Sequence, residues 1–283
     1  MQSIAPSSPF CLNELDHRPA FRKITDLIVS LFRQVQASYT VLYHRLFHPI
    51  YHLCNQKVVW KEHSKALFVF VHGLNGDPAS FYHQIQLLKQ EEEVDIFIPR
   101  VPDRGACPLK EAATPILTTV LDFAKAHPKK PICLLGVSNG ARITSQIEVS
   151  LRKEAPTTPV MVSNIAGAHL GTTRVQQLER WKLLKWFYKN PSIQELKYNS
   201  FTAKNLLESI KAPLPKECAE RRFDYFASID DLVIPDLEST LPTIDKNERR
   251  FALFGQSHDS IINHVARVQI AAALSWQRLL KET

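Results

Sequence analysis

The amino-acid sequence predicts an α/β protein whose central sheet is mostly parallel, with helices on both faces of the sheet. From about residue 57, short apolar runs alternate with helical patterns, which is the order of elements in parallel βαβ units. The runs LFVFV and ICLLGV are apolar at nearly every position, as expected of strands buried on both sides. Seven of the eight glycines lie in short turns that follow such runs. Because the carboxyl ends of parallel strands meet at one edge of a sheet, this edge is the candidate ligand site.

Length and composition fit one large domain with an appended segment. The chain has 283 residues, 45% of them hydrophobic, which is enough for a substantial core. The net charge of +7 suits an anionic surface, but no nucleic-acid-binding motif occurs, so nucleic acid is not expected as a partner. Five cysteines without CxxC spacing favour a reducing compartment and predict no disulfide framework.

The hydrophobic residues are not arranged as a targeting or membrane-spanning segment. The start of the sequence lacks the basic and apolar regions of a signal peptide, and no run of about 18 apolar residues occurs. We therefore expect a cytoplasmic protein or one that associates peripherally with a membrane surface.

Residues 1–55 are predicted to form an N-terminal helical extension. Within it, residues 1–20 contain serine and proline and are expected to be loosely ordered. A helical repeat follows at Ile24, Leu27, Ile28, Leu31, Phe32 and Val35. We expect this stripe to pack on the rest of the protein, with a membrane surface or a dimer contact as the alternatives.

Three histidines in the same extension have a spacing that metal ligands sometimes have. His44, His48 and His52 are four residues apart and would share one face of a helix. Pro49 interrupts that helix, and no carboxylate or cysteine lies close by in the sequence. Packed or solvated histidines are the preferred interpretation, and no metal or other cofactor is expected.

Residues 56–283 are predicted to form the α/β domain. Its first half contains a strand at ALFVFV, a helix at PASFYHQIQLLKQ, a strand at VDIFIPR and a helix at PLKEAATPILTTVLDFAKAH. The second half contains strands at PICLLGV, PVMVSNIAG, RRFDYFASI and RRFALFG, with helices at NGARITSQIEVSLRK and DSIINHVARVQIAAALSWQRLL.

Residues 173–217 break this alternation. The segment is basic and rich in aromatic residues, including Trp181, Trp186 and Phe187. It predicts a helical insertion over the edge of the sheet, a lid whose aromatic side chains contact substrate, together with His169 just before it. An ordinary pair of amphipathic connecting helices is the alternative.

The stretch GVSNG places Ser138 between a predicted strand and a predicted helix. So short a turn holds the serine in a strained conformation with its hydroxyl projecting from the sheet edge. Small residues at Gly136 and Gly140 avoid clashes with neighbouring elements. The amide of Asn139 begins the helix and points a donor at the same space.

A serine nucleophile needs a base and a group that orients the base. Asp230 and Asp231 follow one predicted strand, and His258 follows the next. His264 is the rival histidine, but it lies inside the closing helix. Asp230 is favoured over Asp231, although the sequence leaves that choice open.

These motifs resemble those of the α/β-hydrolase superfamily, and within it the lipase-like and esterase-like serine hydrolases. The likeness rests on VHGLNG, GVSNG, GAHLGT and the pair DDLVIP and GQSH, over residues 57–283. The resemblance implies an α/β-hydrolase fold with a helical lid inserted after the sixth strand of the family's sheet. Ala168 replaces the proline that many lipases have in the GAHLGT stretch.

The resemblance also implies roles for individual residues. Ser138 matches the nucleophile, His258 the general base, and Asp230, three residues before Val233, the orienting acid. Backbone amides of Leu74 and Asn139 match the oxyanion donors.

Other residues are expected to support the loop that carries Leu74. His72 would brace the turn, and Gly73 would keep the backbone close to the nucleophile.

The implied reaction is hydrolysis of a small-molecule or lipid ester through an acyl-enzyme, without a metal or cofactor. A thioesterase, acyltransferase or amidase would use the same residues with another substrate or acceptor. A catalytically silent scaffold that binds a membrane or a partner is the alternative from a different class.

Overall fold

The computed structural model describes residues 2–4, 16–48, 59–179, 191–244 and 247–280. Its seven strands are β1 (Gln2–Ile4), β2 (Ala66–Val71), β3 (Val94–Phe97), β4 (Ile132–Val137), β5 (Val160–Ile165), β6 (Arg221–Ser228) and β7 (Glu248–Leu253). They form one sheet in the order β1-β7-β6-β5-β4-β2-β3. Every neighbouring pair is parallel except β1 with β7, which confirms the predicted, mostly parallel sheet.

The helices of the described residues connect these strands. They are α1 (Ala20–Phe47), α2 (Tyr82–Leu88), α3 (Leu109–Ala126), α4 (Asn139–Glu154), α5 (Thr173–Glu179), α6 (Pro191–Glu195), α7 (Phe201–Lys211), α8 (Leu237–Thr240) and α9 (Ser260–Leu279). Among the described residues, no helix combines the length and the apolar character needed to cross a membrane.

The core lies on both faces of the sheet, because side chains alternate along each strand. On one face Leu67 and Val69 of β2 join an apolar cluster with residues of α3 and α4. On the other face Phe68 and Phe70 join a cluster that includes α9 residues such as Val265. This double burial explains why the strands are apolar at nearly every position.

The N-terminal extension differs from the expectation in two ways. Residues 2–4 pair with β7, although residues 1–20 were expected to be loosely ordered. The expectation that the apolar stripe of α1 packs on the protein is wrong, because Ile24, Leu31 and their apolar neighbours are exposed. The buried residues of α1 are instead Ser30, Ala37 and His44.

The predicted histidine face is only partly described. The His44 ring stacks on Tyr82 with ring centroids 3.8 Å apart, so His44 is a packed histidine. Burial lowers the pKa of His44 further below neutral, as do the neighbouring charges of His83 and His48. His52 lies outside the described residues.

The insertion at 173–217 lies between β5 and β6, and its described residues include the helices α5, α6 and α7. α7 packs beside α4, where the Arg152 guanidinium donates to the carbonyls of Ser209 and Ala212 at 3.0 and 3.1 Å. Trp181, Trp186 and Phe187 lie outside the described residues, so their contact with substrate stays a prediction.

Candidate active site

Ser138 occupies the tight turn between β4 and α4. Its backbone has φ 56° and ψ −122°, a conformation that non-glycine residues rarely adopt. The Ser138 amide donates to the Ile165 carbonyl of β5 at 3.0 Å, and its carbonyl accepts from Ala141 at 3.1 Å. Strand and helix therefore hold the strained residue from both sides, with its side chain at the carboxyl edge of the sheet.

Three glycines allow the backbone to pack this closely around Ser138. A Cβ atom at Gly140 would lie 2.1 Å from the Val71 carbonyl oxygen, and one at Gly136 would lie 2.7 Å from Ala141 Cα. A Cβ atom at Gly73 would lie 2.8 Å from Ser138 Cβ. The loop after β2 thus lies directly against the serine, as predicted for a loop that supplies an oxyanion donor.

The two residues predicted to supply oxyanion donors, Leu74 and Asn139, both adjoin Gly105. A Cβ atom at Gly105 would lie 3.5 Å from Asn139 Nδ2 and 3.6 Å from Leu74 Cα, so both residues adjoin the same loop. Among the described residues, neither the Leu74 amide nor the Asn139 amide donates a hydrogen bond within the protein. Both amides therefore keep their hydrogen-bonding capacity for another acceptor.

The loop over residues 102–105 supports this pair of donors. The Asn75 amide donates to the Arg104 carbonyl at 2.8 Å, and the Arg104 guanidinium donates to the Asn75 carbonyl at 2.6 Å. The Asn139 side-chain amide donates to the Gly105 carbonyl at 3.1 Å. Positive φ angles at Asp103, Arg104 and Gly105 show that this supporting loop is itself strained.

His258 binds Asp231 and not Asp230. Its Nδ1 donates to Asp231 Oδ2 at 2.7 Å. The other oxygen, Oδ1, accepts from the amides of Val233 and Ile234 at 2.7 and 3.1 Å, which fixes the carboxylate beside the imidazole. The sequence-based choice of Asp230 as the orienting acid is therefore corrected to Asp231.

Asp230 faces the N-terminal extension. Arg18 donates to its two carboxylate oxygens at 2.9 and 3.1 Å, and the Gly255 amide donates to Oδ2 at 2.6 Å. Adjacent residues at the end of a strand point in different directions, so only one of the two aspartates can reach His258.

Electrostatics at His258 favour the protonated ring. Burial by itself would lower the pKa of His258, but the Asp231 carboxylate outweighs burial and the pKa is raised above its ordinary value. The Asp231 hydrogen bond also leaves Nε2 as the nitrogen that can accept a proton when the ring is neutral.

Ser138 and His258 line one cavity of about 320 Å³. Among the described residues, no hydrogen bond joins the Ser138 hydroxyl to the imidazole, a contact that unliganded sites often form only with substrate. The apolar part of the wall includes Val137 and Ile262. A cavity of this size can hold a small organic ligand beside Ser138.

Comparisons with solved structures agree with this topology. A Bacillus licheniformis lipase, BlEst2 in its mature form, is 15% identical with a TM-score of 0.53, covering 75% of this chain and 94% of that chain. Aspergillus fumigatus lipase B is 14% identical with a TM-score of 0.52, covering 74% of this chain and 53% of that chain. No protein-family model matches the sequence, and no curated protein matches it either. The chain has the α/β-hydrolase fold.

A third structure shares less of the geometry. An α/β hydrolase enzyme from the metagenome of lagoon sediments at Mar Chica, Morocco, is 14% identical with a TM-score of 0.49, and the match covers 78% of this chain and 97% of that chain. At these identities the likeness concerns the α/β-hydrolase fold, and the roles of the residues have to be argued from the site itself.

Two histidines near the site are structural in this α/β-hydrolase fold. His72 Nδ1 donates to the Gly73 carbonyl at 2.9 Å, and burial lowers its pKa, as expected of a residue that braces the loop. His169 was expected to contact the lid or the substrate, but it is fully buried and does not line the cavity. Its Nδ1 donates to the Ser239 carbonyl at 2.9 Å, and burial lowers its pKa to about 4.

α1 forms part of the cavity wall, which the sequence did not predict. Ser38, Val41, Leu42 and Arg45 of α1 line the cavity that contains Ser138. The wall that was expected from the insertion at 173–217 is therefore supplied, in the described residues, by the N-terminal helix.

Arg18, in the N-terminal extension, also holds the loop after β6. The Arg18 guanidinium joins Asp230 to Asp16 and Asp26, with contacts of 2.8 Å to Asp16 and 2.6 Å to Asp26. The Arg18 side chain is only 9% exposed. Because Asp230 precedes Asp231, this cluster fixes the loop that carries the acid.

α1 itself contacts the histidine loop. The Arg33 guanidinium donates to the Gly255 carbonyl at 2.6 Å. The Gln34 side chain both donates to the Asp259 carboxylate and accepts from the Asp259 amide. One signal in the sequence could have indicated the first of these contacts: Arg33 lies on the side of α1 opposite its apolar stripe.

Proposed function

We propose that the protein is a serine hydrolase that cleaves carboxylic esters of acyl or lipid type through a covalent acyl-enzyme. The observation that carries the proposal is the arrangement of Ser138 and His258. Ser138 lies in a strained strand-to-helix turn and shares a cavity with His258. The Nδ1 of His258 donates a hydrogen bond to Asp231.

The first step is attack of the Ser138 hydroxyl oxygen on the ester carbonyl carbon. His258 Nε2 accepts the hydroxyl proton as the new carbon–oxygen bond forms. The Asp231 carboxylate, 2.7 Å from Nδ1, stabilises the imidazolium that results. The raised pKa of His258 supports its action as a base, because a more basic imidazole accepts the proton more readily.

The carbonyl oxygen becomes an oxyanion in this step and binds the free amides of Leu74 and Asn139. A single oxyanion donor typically lowers the barrier by about 3 kcal/mol. The Asn139 amide also belongs to the first turn of α4, so the helix dipole favours negative charge at the same point.

The acyl-enzyme forms and is then hydrolysed. The imidazolium returns its proton to the leaving alcohol as the ester carbon–oxygen bond breaks. A water molecule then attacks the acyl carbon while His258 accepts one of its protons. The imidazolium donates that proton to the Ser138 oxygen as the acyl carbon–oxygen bond breaks, so the carboxylic acid is released and the hydroxyl is restored.

Hydrolysis of p-nitrophenyl esters of rising chain length tests this proposal. We expect wild type to hydrolyse at least one of them and Ser138→Ala to lose about 10⁴-fold or more in kcat. Ser209→Ala is the matched control, because Ser209 lies on α7, does not line this cavity, and should keep wild-type kcat within a few fold.

Equal hydrolysis by wild type and Ser138→Ala would contradict the proposal. No hydrolysis of any ester by wild type would favour the silent scaffold. Turnover of acyl thioesters or amides in preference to oxygen esters would keep the proposed residues and move the substrate class to that of a thioesterase or an amidase.

A further inference from the structure

α1 presents an apolar face to solvent, which we name the α1 apolar face. Its members are spaced three and four residues apart and lie on one side of the helix. The face consists of Ile24, Ile28, Leu31, Phe32, Val35 and Tyr39. Phe32 is 73% exposed and Val35 is 71% exposed, so no described residue covers the centre of the face.

The helix is fixed to the protein by its other side. Ser30 donates to the Asp230 carbonyl at 3.1 Å, and Arg33 donates to the Gly255 carbonyl at 2.6 Å. His44, further along the same side, stacks on Tyr82. A helix normally buries its apolar stripe, so a helix that is held by polar contacts and exposes this stripe marks an interaction surface.

The α1 apolar face runs into the mouth of the catalytic cavity. Leu42 is half exposed and at the same time lines the cavity with Ser138. Val41 and Arg45, its neighbours on the helix, line the cavity as well. A flexible apolar molecule could therefore pass from this face to the proposed nucleophile without leaving apolar surface.

Basic side chains lie near both ends of the face and beside the cavity mouth. Arg22 is 71% exposed and Arg45 is 54% exposed, one near each end of α1. The neighbouring cavity, which shares Arg45, is also lined by Arg100 and Arg104, against Asp77 and Asp103. Together with the net charge of +7, these side chains favour a partner that has an apolar interior to receive the face and an anionic surface to pair with the arginines.

We propose that the α1 apolar face docks on a bilayer that contains anionic lipids, with the catalytic cavity opening toward that bilayer. Apolar side chains enter the acyl region and the flanking arginines contact lipid phosphates, as in interfacial amphipathic helices. A second copy of the chain is the disfavoured occupant, because it would cover the cavity mouth beside Leu42. That the delivered molecule is a lipid ester rests on the proposed function; the docking itself does not.

Flotation with large unilamellar vesicles tests the docking. The vesicles are phosphatidylcholine with about a quarter phosphatidylglycerol, and the readout is the bound fraction of protein. We expect wild type to float and the double variant Phe32→Asp, Val35→Asp to lose about tenfold or more in partition, because two apolar side chains no longer enter the bilayer. Val268→Asp on α9 is the matched control, since it makes the same change at an exposed valine elsewhere and should float like wild type.

The outcomes separate docking from catalysis. Ser138→Ala should float as well as wild type, so a protein that floats but cleaves no ester would overturn the proposed function and leave the docking intact. Equal flotation of wild type and the double variant, or no flotation of wild type, would overturn the docking. A wild-type dimer that the double variant converts to a monomer would assign the face to a second copy, and equal binding to vesicles of phosphatidylcholine alone would contradict the role of the arginines.

Discussion

Asp230 and Asp231 carry the same functional group and are adjacent in the chain, yet each has a separate task. Asp231 is held by two backbone amides and turned toward His258, while Asp230 is bound by Arg18 and the Gly255 amide. The difference arises from the turn after β6, where successive side chains point in different directions. One carboxylate therefore acts on the imidazole, and the other anchors the loop.

Asp231→Asn should lower kcat/KM by about 10⁴-fold, because an amide cannot stabilise the imidazolium and favours the wrong tautomer. Asp231 raises the pKa of His258, so wild-type activity should fall as the pH drops through that raised pKa. Loss of the charge should move this acidic limb of the pH profile to lower pH. A pH profile of kcat/KM for the residual activity measures both effects.

Asp230→Asn is the comparison for the same experiment. We expect it to reduce stability and to leave the acidic limb close to that of wild type, because Asp230 does not contact His258. A loss of 10⁴-fold in Asp230→Asn together with a near-normal Asp231→Asn would restore Asp230 as the orienting acid.

At the scale of elements, the N-terminal extension and the two catalytic loops form one unit. Arg18 binds the loop after β6, and Arg33 and Gln34 of α1 bind the loop after β7. Residues 2–4 of the same extension pair with strand β7, which leads into the second of these loops. The extension is therefore a brace that keeps Asp231 and His258 in register, and its removal should affect activity as well as stability.

Arg18→Ala should lower the free energy of unfolding by about 3 kcal/mol, because it leaves the buried Asp230 carboxylate without its cation and Asp16 with Lys23 alone. Arg22→Ala, four residues away and 71% exposed, should change stability by less than about 1 kcal/mol. Urea denaturation and ester hydrolysis measured on both variants test the brace. A stable and fully active Arg18→Ala would contradict it.

Asp16 gives the brace a pH dependence. The hydrogen bond from Arg18 lowers the pKa of Asp16 from 3.8 to about 2, against the effect of burial. A lowered folded-state pKa stabilises the protein above the unfolded pKa, and this contribution disappears as the pH falls from about 4 to about 2. The stability difference between wild type and Asp16→Asn should therefore be about 2 kcal/mol at pH near 6 and shrink toward pH near 2, as measured by urea denaturation.

At the scale of the whole molecule, the fold brings together three side chains that are far apart in the chain. The parallel sheet places Ser138, Asp231 and His258 at the carboxyl ends of β4, β6 and β7. The sequence was sufficient to predict these strands, because runs such as ALFVFV are apolar at every position, as strands buried on both faces must be. It also indicated Ser138, because glycines at 136 and 140 on either side of a serine are typical of a tight strand-to-helix turn that needs small residues.

Other features depended on contacts that a sequence pattern does not contain. The periodicity of α1 predicts an apolar stripe, but not which side of the helix faces the protein. That choice depends on partners such as Asp230 and Asp259, which lie about 200 residues further along the chain. Which aspartate contacts His258 depended in the same way on a local turn, in which the Asp231 carboxylate accepts hydrogen bonds from the amides of Val233 and Ile234.

The central claim is that Ser138 is a nucleophile activated by His258. Intact-protein and peptide mass spectrometry after treatment with a fluorophosphonate tests this claim most directly, because such a probe modifies only an activated serine. The account predicts one adduct per chain on Ser138, absent in Ser138→Ala and strongly slowed in His258→Ala. No adduct on folded wild-type protein, or an adduct that persists at the same rate without His258, would contradict it.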